Sequence, residues 1–173
     1  ALDANNANFF SNQEFTKAGS FFTSTPAYYW PGDGSTLSFY AYSPSATDLG
    51  ATVSITSASK TMTNFSPATA IASQKDFITA SATGSKTDET TGVALTFAHR
   101  LAQIEIKAKN TNGGYVYKVQ GVRIGQPISQ ATFNFGTSAW TLGTAKSNYE
   151  VTYTSAKTLN ATAASIMAAD GDN

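Results

Sequence analysis

The residues that could carry out chemistry are few and far apart in the sequence. The only histidine, His99, lies where the hydrophobic pattern changes phase, and one imidazole cannot form a multi-histidine metal site. Ser57 and Lys60 have the Ser-x-x-Lys spacing of some acyl-transfer enzymes, but the Ser-Asp-Asn and Lys-Thr-Gly motifs that accompany it are missing. We therefore interpret His99 as a hydrogen-bonded structural residue and assign no nucleophile.

The acidic residues do not form a pattern that indicates a metal site or an acid-base pair. Asp170-Gly171-Asp172-Asn173 begins like a calcium loop but lacks the later ligands and the closing glutamate. Asp88 and Glu89 belong to a polar loop, and Glu105 alternates with Lys107 as on a solvated strand face. The sequence therefore predicts a protein that is not an enzyme and that has no cofactor and no bound metal.

Aromatic residues near predicted turns form the one candidate ligand surface. We call them the aromatic platform: Tyr28, Tyr29, Trp30, Tyr40, Tyr42 and Trp140. An exposed row of such rings could bind a sugar or a peptide, whereas aromatic residues beside the turns of a β-sandwich usually close the ends of its core. Burial of these side chains would indicate the structural role. Arg100 and Arg123 are assigned no role.

Composition excludes several classes of protein. The chain has 173 residues, no net charge at pH 7, no cysteine, 13% charged residues and 12% aromatic residues. It therefore has no disulfide, no thiol catalysis and no basic footprint for nucleic acid. No stretch approaches the roughly 20 apolar residues of a transmembrane helix. We expect a mobile arm over residues 1–8 and a single domain over residues 9–173.

The longest regular hydrophobic pattern covers residues 93–109 and predicts β-strands. Large apolar residues occupy odd positions up to Phe97 and even positions at Ile104 and Ile106, which is the period of two expected of half-buried strands. A bulge or a crossing between sheets must absorb one residue at the change of phase. We predict that Phe97, Ile104 and Ile106 are core residues.

Turn signals divide the rest of the chain into short segments. Asn112-Gly113-Gly114 predicts a hairpin that pairs residues 104–108 with residues 115–119. A phase shift after Gly121 indicates a bulge, and a tight turn is expected at Gly136-Thr137-Ser138. Only residues 161–169 have a pattern compatible with a helix.

About eight to ten short strands with short connections and little helix favour one fold class. The prediction is an all-β antiparallel β-sandwich, and a closed barrel is the alternative.

An ordered set of short motifs extends from about Trp30 to Trp140. It consists of Tyr29-Trp30-Pro31, then Leu37-Ser38-Phe39-Tyr40-Ala41-Tyr42-Ser43-Pro44, then Leu95-Thr96-Phe97-Ala98-His99-Arg100-Leu101-Ala102, and finally Val119-Gln120-Gly121-Val122. The order of these motifs resembles the fimbrillin (Mfa-like) proteins of Bacteroidetes type V pili.

This resemblance implies a fold, a location and a function. Members of the family are exported lipoproteins with two transthyretin-like β-sandwich domains, and they serve as stalk, tip or anchor subunits of pili. The present chain would be an N-terminal domain whose export signal has been removed, located at the cell surface, outer membrane or fimbrium. The lipid anchor would belong only to the full-length precursor.

The resemblance also implies how the subunits associate. A protease that cuts after arginine removes a first strand, and a terminal segment of a neighbouring subunit fills the groove. The strand or its remnant would lie within residues 1–10 of this chain. The partners would be other pilus subunits or host surface ligands, and the isolated chain would be a monomer. The alternative function is a surface glycan-binding module.

Overall fold

The computed structural model describes residues 1–167, and strands dominate it. The strands are β1 (Phe15–Ala18), β2 (Phe21–Ser24), β3 (Leu37–Ser43), β4 (Thr52–Ile55), β5 (Lys60–Phe65), β6 (Ile78–Gly84), β7 (Ala98–His99), β8 (Ile106–Ala108), β9 (Lys118–Ile124), β10 (Ala131–Asn134), β11 (Ala139–Leu142), β12 (Tyr149–Thr158) and β13 (Ala164–Met167). One α-helical turn, α1 (Ala46–Leu49), and two 3₁₀ turns, Ile71–Ser73 and Lys86–Asp88, complete the regular structure. Within the described residues, none of these helical segments is long and apolar enough to cross a membrane.

All strand pairs are antiparallel, and the two largest sheets form a sandwich. One has the order β11-β10-β5-β4 and the other the order β3-β6-β7, while β1-β2, β9-β12 and β8-β13 form two-stranded sheets. The all-β sandwich prediction is confirmed, and residues 1–167 do not close into a barrel. There are more strands than the expected eight to ten because several apolar runs are interrupted.

The core lies between the two largest sheets. Its buried residues are Leu49, Met62, Phe65, Phe77, Phe133 and Phe135. Tyr40 and Tyr42 on β3 and Val53 on β4 pack against this group from the opposite sheets. Burial of aromatic and aliphatic side chains from both sheets is the main contribution to stability in such a fold.

The first residues of the chain are packed against β3. Leu2 is completely buried, and its backbone exchanges two hydrogen bonds with Ser38, of 2.9 and 2.8 Å. The segment predicted as a mobile arm, residues 1–8, thus has an anchor at Leu2. A single buried leucine among Ala and Asn residues has no period, so the sequence pattern could not reveal the anchor.

The pattern over residues 93–109 forms less paired strand than predicted. Only β7 and β8 have strand pairing in this stretch. Phe97 is 42% exposed and Ile104 is 57% exposed, so their assignment to the core is wrong, whereas Ile106 is half-buried. The alternation is real, but no other described strand covers Phe97 and Ile104.

The hairpin predicted at Asn112-Gly113-Gly114 is also wrong. β8 pairs with β13, and β9 pairs with the ten-residue β12. The residues of a turn are present at Asn112-Gly113-Gly114, but β8 and β9 pair with strands distant in sequence and not with each other. The helix expected at residues 161–169 is replaced by β13 up to Met167, and Asp170-Gly171-Asp172-Asn173 lies outside the described residues.

One of two predicted irregularities is confirmed, and the other lies elsewhere. β9 pairs regularly with β12 from Gly121 to Ile124, so the bulge expected after Gly121 is wrong; the register shifts before Gly121, between Thr152 and Lys157 of β12. A Cβ atom at Gly121 would come within 2.6 Å of the carbonyl oxygen of Val151. The turn after Phe135 joins β10 to β11, and the side chain of Asn134 accepts hydrogen bonds from the backbone N–H groups of Gly136 and Thr137 at 2.8 and 3.0 Å. The side chain of Asn134 thus satisfies two backbone N–H groups of the turn that the sequence predicted.

Candidate functional site: an apolar groove beside β11

An open groove of about 470 Å³ lies beside the edge strand β11. Its lining is mainly apolar and comes from several parts of the chain: the end of β5 with residues 67–74, residues 100–104, residues 124–131, β11, Tyr149 on β12 and Met167 on β13. Phe65, Ala131 and Trp140 belong to the sheet beneath it. A concave apolar surface of this kind is the usual form of a binding site.

The groove is bordered by two stretches of chain with incomplete strand pairing. β11 ends the sheet order and pairs only with β10 among the described strands. On the other side, residues 102–105 are not part of any strand although they continue directly into β8. Unpaired edges present backbone N–H and C=O groups that can bond to an added strand. The groove therefore has the features of a strand-acceptor site.

Three large aliphatic side chains around the groove are exposed. Ile104 is 57% exposed, Ile128 is 44% exposed and Leu142 is 64% exposed. Single exposed apolar residues are ordinary, but several around one concave surface indicate an interaction site. A partner that covers this groove would remove these side chains from water.

Arg100, to which the sequence analysis assigned no role, connects residues 101–104 of the groove to both large sheets. Its Nε donates to Thr79 Oγ1 at 2.6 Å, and its Nη2 donates to Ser138 Oγ at 3.2 Å. Its backbone carbonyl accepts a hydrogen bond from the indole N–H of Trp140 at 2.8 Å. The guanidinium also lies over the ring of Phe133, with Cζ 5.6 Å from the ring centroid. Arg100 therefore fixes the start of residues 101–104.

Replacement of Arg100 by alanine is expected to lower the free energy of unfolding by about 1–3 kcal/mol, because Thr79 is buried and its hydroxyl would lose its partner. Urea unfolding measures this loss. Arg123→Ala is the matched control: Arg123 is exposed on β9, and its replacement should change stability by less than about 0.5 kcal/mol. Equal stability of the two variants would show that the Arg100 contacts do not support the fold.

His99 has the structural setting that the sequence indicated. Its Nδ1 contacts the Oδ2 of Asp76, whose other oxygen accepts the backbone N–H of Phe77 at 2.8 Å. Both side chains are exposed at the end of the three-stranded sheet. Among residues 1–167, no three His, Cys, Asp or Glu side chains are grouped so that they could hold a metal ion. Ser57 and Lys60 lie at the β4–β5 turn.

Half of the aromatic platform faces the core of the sandwich. Tyr40, Tyr42 and Trp140 pack against the buried core residues. Burial raises the pKa of the Tyr42 hydroxyl, which donates to Asn12 Oδ1 at 2.8 Å. The strand period could have indicated this face, because Tyr40 and Tyr42 are two residues apart on β3.

The other platform residues lie on the opposite side of β3. Trp30 makes an edge contact with Phe39 at 6.0 Å between ring centroids, and Tyr28 lies on Phe10 at 4.6 Å. Tyr29 is 84% exposed. The structure thus places the six residues in two aromatic groups and one exposed ring.

Sequence reasoning did not find the groove itself. Leu142 alternates with Trp140 as a core residue would, and Ile128 is a single apolar residue, so neither indicates a groove. They meet residues 101–104 only through tertiary structure. The one available signal was the change of phase between Phe97 and Ile104, which marks where the chain leaves β7 and begins to border the groove.

Comparisons with known proteins identify the family. A search of curated proteins and a search of solved structures each found no match. The model of the fimbrillin-like family matches residues 1–172, which is nearly the whole chain. The residues that suggested this family, from Tyr29-Trp30-Pro31 to Val119-Gln120-Gly121-Val122, all lie inside the matched range. The chain therefore belongs to the fimbrillin-like family.

Proposed function

We propose that this protein is a pilus subunit that receives a β-strand from a neighbouring subunit in the groove beside β11. The observation that carries the proposal is the apolar groove bordered by an edge strand and by the unpaired residues 102–105. Membership of the fimbrillin-like family supports a structural function at the cell surface in a stalk, tip or anchor subunit.

The chemistry of strand addition fits this groove. An incoming strand would donate and accept backbone hydrogen bonds along β11, which supplies affinity that does not depend on sequence. Every second side chain would point towards the apolar lining formed by Phe65, Ala131 and Trp140. The donor segment is therefore expected to alternate apolar and polar residues over at least the four residues of β11.

The size of the full-length protein before and after cleavage by a trypsin-like protease tests this proposal. We expect the present 173-residue chain to be a monomer, and we expect the unprocessed full-length protein to assemble less than the processed form, because the segment around Leu2 still covers the edge of β3. Processed full-length protein should form linear assemblies. Light scattering coupled to size-exclusion chromatography measures the mass.

The outcome that contradicts strand addition is also defined. If processed full-length protein remains monomeric even when its neighbouring subunits are present, the groove does not accept a strand. Polymer that forms equally well without processing would contradict the protease-dependent step.

The alternative function is a surface glycan-binding module that uses the aromatic platform. It would be supported by a row of exposed rings, but Tyr40, Tyr42 and Trp140 pack against the core and only Tyr28 and Tyr29 have large exposed areas. This arrangement favours the structural function. Loss of micromolar glycan binding in Trp30→Ala would favour the alternative.

A further inference from the structure

Three consecutive large side chains are exposed between β8 and β9. Tyr115 is 66% exposed, Val116 is 74% exposed and Tyr117 is 50% exposed. The two tyrosine rings lie 6.2 Å apart between centroids, with 38° between their planes. We call Tyr115 and Tyr117 the tyrosine pair. Two adjacent, solvent-facing aromatic rings indicate a surface that contacts something else.

The backbone beneath the tyrosine pair is held in place on both sides. The side-chain amide of Asn110 donates to the carbonyl oxygen of Tyr115 at 2.7 Å. The backbone N–H of Leu159 donates to the carbonyl oxygen of Tyr117 at 2.9 Å. Asn110 itself is fixed through a backbone bond to Asn160 at 2.8 Å. The rings are therefore presented on a preorganised loop, which lowers the entropy cost of binding.

Lysine is frequent in the two chain segments that carry and adjoin the tyrosine pair, although the whole chain has no net charge. Strand pairing brings residues 105–119 next to residues 153–162, and these two segments contain four lysines and one acidic residue. The acidic residue, Glu105, is bonded to Lys107 at 3.0 Å. The other lysines are Lys109, Lys118 and Lys157. Lys157 Nζ lies 4.4 Å from the centroid of the Tyr153 ring, on the strand that pairs with β9.

We propose that the tyrosine pair and Lys157 bind an acidic carbohydrate. A pyranose ring presents an apolar C–H face that packs on an aromatic ring, and its hydroxyl oxygens suit the side-chain NH2 group of Asn112, whose Oδ1 accepts from the backbone N–H of Gly114. A carboxylate or sulfate on the sugar would pair with Lys157, whose position opposite Val119 puts it on the same strand face as Tyr117, whereas Lys118 lies on the other face. The combination of aromatic rings with net positive charge selects an acidic sugar over a neutral one. This site is separate from the groove, whose lining residues it does not include.

Binding of the 173-residue chain to polygalacturonate tests the proposal, with fully methyl-esterified polygalacturonate as the neutral probe. Isothermal titration calorimetry should show binding of the acidic polymer and at least tenfold weaker binding of the esterified one. Joint replacement of Tyr115 and Tyr117 by alanine should weaken binding of the acidic polymer at least tenfold, and Lys157→Gln should also weaken it, whereas Lys118→Gln, on the opposite strand face, should leave it unchanged. All four side chains are exposed or half-exposed, so circular dichroism should show an unchanged fold.

Matched controls are available on the same chain. Tyr29→Ala removes an exposed ring elsewhere, and Lys86→Gln removes a distant exposed lysine; neither should change the affinity twofold. Absence of binding to polygalacturonate, equal binding of the esterified polymer, or unchanged affinity in the Tyr115 and Tyr117 variant would overturn the proposal. Loss of subunit assembly in that variant without loss of polymer binding would assign the surface to a protein contact instead. None of these results depends on strand addition, because the groove is unchanged in every variant.

Discussion

Replacing Phe133 with alanine is expected to lower the free energy of unfolding by about 3–5 kcal/mol, a large part of the total stability of a domain of this size. Phe133 is completely buried at the centre of the sandwich. Its ring lies 5.0 Å from that of Trp140 and 5.3 Å from those of Phe77 and Phe135, measured between centroids. The loss combines the burial of the removed atoms with the cavity that they leave among these rings.

Urea unfolding followed by tryptophan fluorescence measures this change, since Trp140 reports on the same cluster. Phe22→Ala is the control, because Phe22 is 66% exposed on the β1–β2 hairpin and its loss should cost well under 1 kcal/mol. Phe97→Ala is expected to fall near the control, since this residue is 42% exposed. If Phe97→Ala destabilised the protein as much as Phe133→Ala, the centre of the core would lie where the alternation of residues 93–97 indicated.

The elements that the sequence predicted correctly are those whose signal is local. The tight turn predicted at Gly136-Thr137-Ser138 joins β10 to β11, and it depends only on near neighbours such as Asn134. Burial of Phe133 and Phe135 follows from their position on alternate residues beside that turn. The fold class could be predicted from the number of short apolar segments and the turn signals between them, which are also local.

Strand partners could not be predicted because they depend on contacts distant in sequence. Asn112-Gly113-Gly114 is compatible with a hairpin, yet β8 pairs with β13, more than fifty residues further along the chain. The attachment of the start of the chain could not be predicted for the same reason, because the backbone of Leu2 pairs with Ser38, 36 residues further along the chain. Patterns show that a strand exists, whereas the register and the partner are determined by the whole core.

The candidate site was hidden from the sequence for a related physical reason. Apolar residues at Ile104, Ile128 and Leu142 look like core residues in any one-dimensional pattern, and only their exposure beside an unpaired edge reveals a groove. The aromatic platform shows the converse, because an aromatic residue in the sequence does not reveal which face of the sheet it occupies. Arg100 had no recognisable motif, and its hydrogen bonds to Thr79 and Ser138 join segments far apart in sequence.

Joint replacement of Ile104 and Leu142 by arginine in the processed full-length protein is expected to abolish assembly. Both side chains line the groove and are more than half exposed, at 57% and 64%, so the subunit itself should fold with little loss of stability. An incoming strand would have to bury two guanidinium groups against apolar side chains without partners, and the desolvation cost opposes binding strongly. Light scattering should find monomers where the unsubstituted protein forms linear assemblies.

Phe22→Arg provides the matched control for this experiment, because it also introduces arginine at an exposed apolar position but lies on the β1–β2 hairpin, outside the groove lining. It should assemble like the unsubstituted protein. Circular dichroism and urea unfolding establish that each variant is folded before its mass is interpreted. The substitutions change only the acceptor groove, so a variant subunit can still donate its own strand. When the Ile104 and Leu142 variant is mixed with the unsubstituted protein, it should therefore cap growing assemblies and shorten them. Assembly of the variant alone to the normal length would show that subunits associate through another surface and that the groove beside β11 does not receive the strand.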